Sequence, residues 1–316
     1  MNFGYHYSKF HGSGDAGLFD AIEERAQTFE ENGFKFLSFT DHVWQAPVVG
    51  QKDDPVLDAY SALAATAAVT DEIKLCPMVT PVGFRNPAMV GRMLTSIDVI
   101  SSGRTVFGIG AGWYEEEFEA CGWEFPDASK RISQVEDTIR LLKTLWTQES
   151  PVTYAGEHYQ LKDVYLEPKP AQDPHPPVLV GGGGEQLTLR VAAKYADRWN
   201  TPWLTHDEYR HKLDVLRDHC ESVGRPYDEI HKSAVDMVVI RDSEPEAQAA
   251  YESLMSSADW DHPSREEYRG AIGTPDDVIE HVQRFRDEGI DLYIFEAPRN
   301  DVETIDRFVE EVVPRV

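Results

Sequence analysis

PPVLVGGGGEQLTLRVA, residues 176–192, holds in seventeen positions the repeating unit from which the rest of the chain is built. A short apolar run empties into four glycines, Gly181, Gly182, Gly183 and Gly184, and a segment of helical character follows at once. Strand, tight turn and helix in that order make one βα unit. Glycine lets backbone N–H groups approach an anion closely, and a helix N-terminus carries partial positive charge. No Walker lysine follows the glycines, so a nucleoside triphosphate is disfavoured and a cofactor phosphate ester fits better. Glu185 is then expected to point away from the anion. The competing reading is a loop that is glycine-rich only to make the turn.

The same alternation runs outward in both directions. Short β-branched or aromatic runs occur at 3–7, 36–40, 73–79, 105–109, 177–180, 198–201, 234–240 and 292–295. Amphipathic segments lie between them. Ile132, Val135, Ile139, Leu142 and Leu145 mark one helical face, and Thr274-Pro275-Asp276-Asp277 opens another helix that closes at Gly289. Eight strands, each followed by a crossover, predict a (β/α)8 TIM barrel. An open doubly wound sheet would need a dinucleotide fingerprint early in the chain, and residues 1–40 hold none. Residues 1–316 read as one domain with two insertions, a hairpin-like segment at 150–172 and an irregular, partly helical one at 243–273 without an obvious strand.

Acidic residues number 56 against 30 basic ones, a formal charge of −26. Such a surface repels nucleic acid and anionic membranes, and it suggests adaptation to high intracellular salt. No run approaches the ~20 apolar residues that a membrane span needs. The first residues read as a strand rather than a signal peptide. Three cysteines, Cys76, Cys121 and Cys220, form no CxxC pair, which suits a reducing cytoplasmic location.

Chemistry is expected where barrel strands end. Asp41 and His42 close the second strand and could serve proton transfer or ring binding. Gly108-Ile109-Gly110-Ala111-Gly112-Trp113 ends the fourth; Trp113 occupies the third-glycine position of a dinucleotide fingerprint, so the glycines are read as a flat wall for a planar ring. Two prolines in Cys76-Pro77-Met78-Val79-Thr80-Pro81 imply an irregular end to the third strand. His6 stands alone between two tyrosines, so the HxH of barrel metallohydrolases is missing and no metal is expected.

Four pieces in this order and spacing resemble the luciferase-like monooxygenase superfamily: TDH at 40–42, VTPVGFRNPAMV at 79–90, GIGAGWYEEEF at 108–118, and the glycine-loop segment extended to Asn200. GTPDDVIEHVQRFRDEGID at 273–291 resembles the family's penultimate helix. Within the family the motifs look most like the branch using coenzyme F420, a deazaflavin, with FMN as the alternative cofactor. The resemblance implies Asp41 and His42 beside the ring, His42 nearest the reacting face. It implies cofactor contacts from Thr80, Gly110, Ala111 and Gly112, and a phosphate held by Gly182, Gly183, Gly184, Glu185 and Gln186. A non-prolyl cis peptide, aligned here between Pro77 and Met78, would buttress the ring. Sugar-phosphate dehydrogenases of the family carry a glutamate where this chain has Trp113, and neither Glu116 nor Glu117 can be placed from sequence. The implied activity is hydride transfer to or from a small carbonyl, enone or alcohol in a pocket walled by His6, Trp44, Trp113 and Trp203. A non-catalytic cofactor carrier is the rival reading, and a homodimer is a possible assembly.

Overall fold

The computed structural model describes residues 1–10, 17–256 and 270–316. Its elements follow in chain order β1 (Asn2–Tyr7), α1 (Leu18–Glu31), β2 (Phe36–Phe39), α2 (Ala59–Ala67), β3 (Lys74–Pro77), β4 (Thr80–Pro81), α3 (Pro87–Ile100), β5 (Phe107–Gly110), α4 (Glu115–Ala120) and α5 (Ala128–Thr147). Then come β6 (Val152–Ala155), β7 (Gln160–Val164), β8 (Val178–Gly181), α6 (Thr188–Tyr195), β9 (Arg198–Pro202), α7 (His206–Val223), β10 (His231–Ile240), α8 (Glu244–Met255), β11 (Ala271–Gly273), α9 (Pro275–Asp287), β12 (Leu292–Glu296) and α10 (Val302–Arg307). The large sheet runs β3-β2-β1-β12-β10-β9-β8-β5-β4, and all its pairs are parallel. A parallel bridge from Leu75 on β3 to Thr105, just before β5, brings the sheet round on itself as a TIM barrel.

Period-two alternation sorts each strand into two layers. Phe36, Cys76, Val106, Leu179, Val235, Leu292 and Ile294 form a small cluster inside the barrel. Their neighbours Leu37, Leu75, Phe107, Val178, Val180, Ala234, Tyr293 and Phe295 join the larger core under the helices. Along β12 the sequence therefore reads in, out, in, out, and Glu296 falls on the inward phase at the strand's C-terminal end. His6 on β1, Thr40 and His42 after β2, and Asn200 and Pro202 on β9 share that phase. Parallel barrels collect these ends on one rim.

Two details differ from the sequence expectation, the place of the cis peptide and a strand within 243–273, while the irregular third strand and the hairpin agree with it. The third strand is broken into β3 and β4, and the non-prolyl cis peptide lies between Met78 and Val79, one bond later than expected. Met78 N still donates to Phe39 O (2.9 Å), so the ladder runs one residue further before it breaks. Within 243–273, read as free of strand, β11 pairs in parallel with β10; three residues are too few to show an alternation. Residues 257–269 of that segment lie outside the described residues. At 152–164, β6 and β7 pair antiparallel, and Asp137 of α5 accepts from Tyr154 Oη and the N–H groups of His158 and Tyr159.

Candidate active site

A cavity of about 330 Å³ opens at the C-terminal rim. Met78 and Val79, at the break between β3 and β4, form one wall, and Gly110, Ala111, Gly112, Gly181 and Gly182 continue it. The glycines are needed there for packing. A Cβ on Gly110 would stand 2.7 Å from Val79 Cγ2, and one on Gly181 would stand 2.8 Å from Val79 Cγ1. Val79 is thus seated between β5 and β8 by two glycines, and the surface left to the cavity is apolar and nearly featureless. Gly112 needs its missing side chain twice over, for φ +77° and for the Phe118 ring beside it.

His42 lines the facing side. Its Nδ1 is 2.8 Å from Oε2 of Glu117, the first buried side chain of α4. The other oxygen of Glu117 accepts from the N–H of Val43 (2.5 Å) and of Trp44 (3.5 Å). One fully buried carboxylate therefore holds both the imidazole and the backbone that carries it. With Nδ1 so engaged, Nε2 is the ring nitrogen left without a partner among the described residues. Trp113 meets the imidazole edge-on at 5.9 Å and stacks on Tyr114 at 5.3 Å.

His6 is next around the rim. Burial, and then the neighbouring His42, push its pKa down to about 3, so its imidazole is neutral in any ordinary buffer. Its Nδ1 is 3.0 Å from Ser38 Oγ. Glu296 follows, buried and accepting from Trp203 Nε1 at 2.8 Å. Burial raises its pKa, and hydrogen bonds from Ser8 and Trp203 only partly oppose this. Trp203 is held for that contact by φ +55° and by its N–H on Val235 O (3.0 Å).

The structure divides the expected site residues. His6, His42, Met78, Gly110, Ala111, Gly112, Trp113, Gly182 and Trp203 line the cavity. Asp41 does not: alternation turns it outward, where Arg85 holds its carboxylate in a fork at 2.7 and 2.9 Å. Pro77 and Thr80 sit behind the wall, with Thr80 Oγ1 2.7 Å from Tyr60 Oη. Trp44 lies outside the lining, because its backbone is tied to Glu117 and its ring turns edge-on to Tyr114. Gly182 N already donates to Asn200 O (2.9 Å), so it is no free anion donor. Beyond the cavity lining, no described residue accepts from the N–H groups of Gly183, Gly184, Glu185 and Gln186, and the Glu185 carboxylate turns out to Lys212 (2.5 Å) and His211 (3.2 Å). Sequence reasoning left Glu117 unplaced and missed Asn200 and Glu296. The inward phase of β12 was a readable signal for Glu296; nothing local pointed Glu117 at His42, 75 positions away.

The arrangement can do three things. Four unpartnered amides and Thr188, at the start of α6, can hold a phosphate. The apolar wall can bear a planar ring, and His42 can exchange a proton across it. Among the described residues no three histidine, cysteine or acidic side chains converge as a metal cluster. The profile of the luciferase-like monooxygenase family matches residues 1–292. The chain is 28% identical over 245 residues to an FMNH(2)-dependent dimethylsulfone monooxygenase of Pseudomonas putida, covering 76% of this chain and 63% of that one. It is 28% identical over 317 residues to an F420-dependent glucose-6-phosphate dehydrogenase of Kineococcus radiotolerans, covering 90% and 89%. An F420-dependent secondary alcohol dehydrogenase, solved with an F420–acetone adduct, superposes with a TM-score of 0.82 over 100% and 99% of the two chains, at 20% identity.

Proposed function

The chain belongs to the luciferase-like monooxygenase family, and from that premise we propose that it is an F420-dependent oxidoreductase acting on a small carbonyl, enone or alcohol. The observation that carries the reading is the His42–Glu117 pair facing an apolar wall, next to a loop with four free amides. When bound, the deazaflavin would supply or take up a hydride. Met78, Val79, Gly110, Ala111 and Gly112 would bear its ring, and the amides of residues 183–186 with Thr188 would hold its phosphate.

The protein's own part is orientation and a proton. Glu117 accepts the Nδ1 proton of His42 and so presents Nε2 to the substrate oxygen, as the carboxylate of a catalytic triad orients its histidine. His42 then gives a proton to that oxygen during reduction, or takes it during oxidation. His6, held neutral, adds no competing charge. Asp41 acts from outside the cavity, fixing the backbone of His42 through Arg85. The acidic surface is read, within the same proposal, as salt adaptation.

Support for F420 over FMN comes from extent: F420-dependent relatives are matched over 84%, 90% and 89% of their length, the FMNH(2)-dependent dimethylsulfone monooxygenase over 63% in Pseudomonas putida and 76% in Pseudomonas fluorescens. FMN remains the second reading on the strength of that monooxygenase. Titrating the protein with F420 and with FMN, oxidised and reduced, and following quenching of the cavity tryptophans separates them. F420 is expected to bind at least about tenfold more tightly, a gap of ~1.4 kcal/mol. Tight binding of FMN alone would remove the deazaflavin assignment, and tight F420 binding without turnover of any carbonyl or alcohol would leave a carrier.

A further inference from the structure

Glu296 is a carboxyl group with no part in the proton exchange assigned to His42, yet it occupies the cavity wall. The strand register leaves it no choice, because the inward phase of β12 ends on it. Its surroundings are few: Trp203 Nε1 on Oε1, the Ser8 hydroxyl, neutral His6 one strand away, and Asp236 across β10, whose charge disfavours a second negative charge. Among the described residues no cation faces it, and no lysine or arginine lines the cavity. Burial without a facing cation pushes such a carboxyl group towards its protonated form. Trp203 donates to Oε1 beside the Ser8 hydroxyl, and in the protonated form the carboxyl O–H can donate into the cavity that Glu296 lines.

We propose that Glu296 is a specificity-determining residue, donating a hydrogen bond to an uncharged carbonyl oxygen of the substrate in a cavity whose described lining offers an anion no cation. The inference rests on the reading of the cavity as a carbonyl or alcohol site and names which members of that class it takes. A neutral ketone gains one hydrogen bond in a low-dielectric pocket. A phosphorylated or carboxylated substrate instead brings its charge into a largely apolar cavity beside the Glu117 carboxylate, with no described cation to meet it. The phosphorylated sugar in the name of the Kineococcus relative is therefore not transferred to this chain.

Two measurements on the full chain, both independent of F420, test this. Infrared difference spectra at pH 7 should show a protonated carboxylic-acid band that disappears in Glu296→Gln. Cyclohexanone binding, followed by tryptophan fluorescence, should weaken roughly tenfold in Glu296→Ala and recover in Glu296→Gln, which restores a neutral donor. Cyclohexanecarboxylate should not bind. The proposal is overturned if no such band is lost, if the carboxylate probe binds as well as the ketone, if the cavity takes neither, or if Glu296→Ala binds the ketone normally. A failure of F420 to bind would instead strike the preceding assignment and leave these results standing.

Discussion

One carboxylate, that of Glu117, accepts from the His42 ring and from two backbone N–H groups of the segment that carries it. Glu117→Gln keeps the shape and removes the charge, so the amide can no longer serve ring and backbone equally. The expected outcome is a fall in kcat of about 10²-fold, the scale of misplaced general acid–base catalysis. The dissociation constant for F420 should hardly move, because the ring wall and the amide loop lie elsewhere; parallel losses in both would show a structural role only. Residue identities at the site were unevenly legible. His42 could be named because strand ends in barrels carry the chemistry, and its neighbour Asp41 was named with it. Adjacent residues of extended chain face opposite ways, so only one of the two could reach the cavity. Glu117 became visible only when folding set α4 against the end of β2.

At the scale of elements, Arg85 ties three pieces of chain together. It forks onto Asp41 after β2 and reaches Asp58, the N-cap of α2, at 2.7 Å, from the segment between β4 and α3. Asp41 is buried while the Arg85 side chain is one-fifth exposed. Removing the cation strands a buried carboxylate, so Arg85→Met should cost about 2 kcal/mol at neutral pH, below the range for fully buried pairs because solvent reaches the guanidinium. The sign with pH follows from the direction of the Asp41 shift. Burial raises its pKa against the pull of Arg85 and Thr80, so the folded state holds its proton above the point where the unfolded chain has lost it. Stability from this group is fullest in acid and declines as pH rises through that window. Without Arg85 the window widens, and the deficit of the variant should be smaller at pH 5 than at pH 8 in urea unfolding. An equal deficit at both would mean that Arg85 acts through packing. The two prolines at 77 and 81 announced an irregular element here. The position of its break was set by pairing with β2, a partner more than thirty residues away.

For the molecule as a whole, a charge of −26 on one compact barrel means self-repulsion that only counterions relieve. The Debye length shrinks from about 10 Å at 0.1 M salt to about 3 Å at 1 M. The midpoint of thermal unfolding should therefore rise by several degrees between 0.1 and 2 M KCl, and more than that of a homologue near neutrality. A flat response would discard the salt-adaptation reading. At this scale the sequence was most informative. Eight apolar runs spaced by helical segments imply eight parallel strands, and closure follows because no edge strand then remains for solvent.

Period and punctuation in the chain were enough to establish the barrel, its strand ends, the glycine loop and the candidate imidazole, since each depends on neighbours within a few residues. Tertiary structure alone decided that Glu117 orients His42, that Asp41 belongs to Arg85, that Gly110 and Gly181 make room for Val79, and that Glu296 meets Trp203. Those pairings join positions between 31 and 102 residues apart along the chain. Local preferences carry no information about which distant strand will lie alongside; that is settled only when ring closure brings all eight ends to one rim.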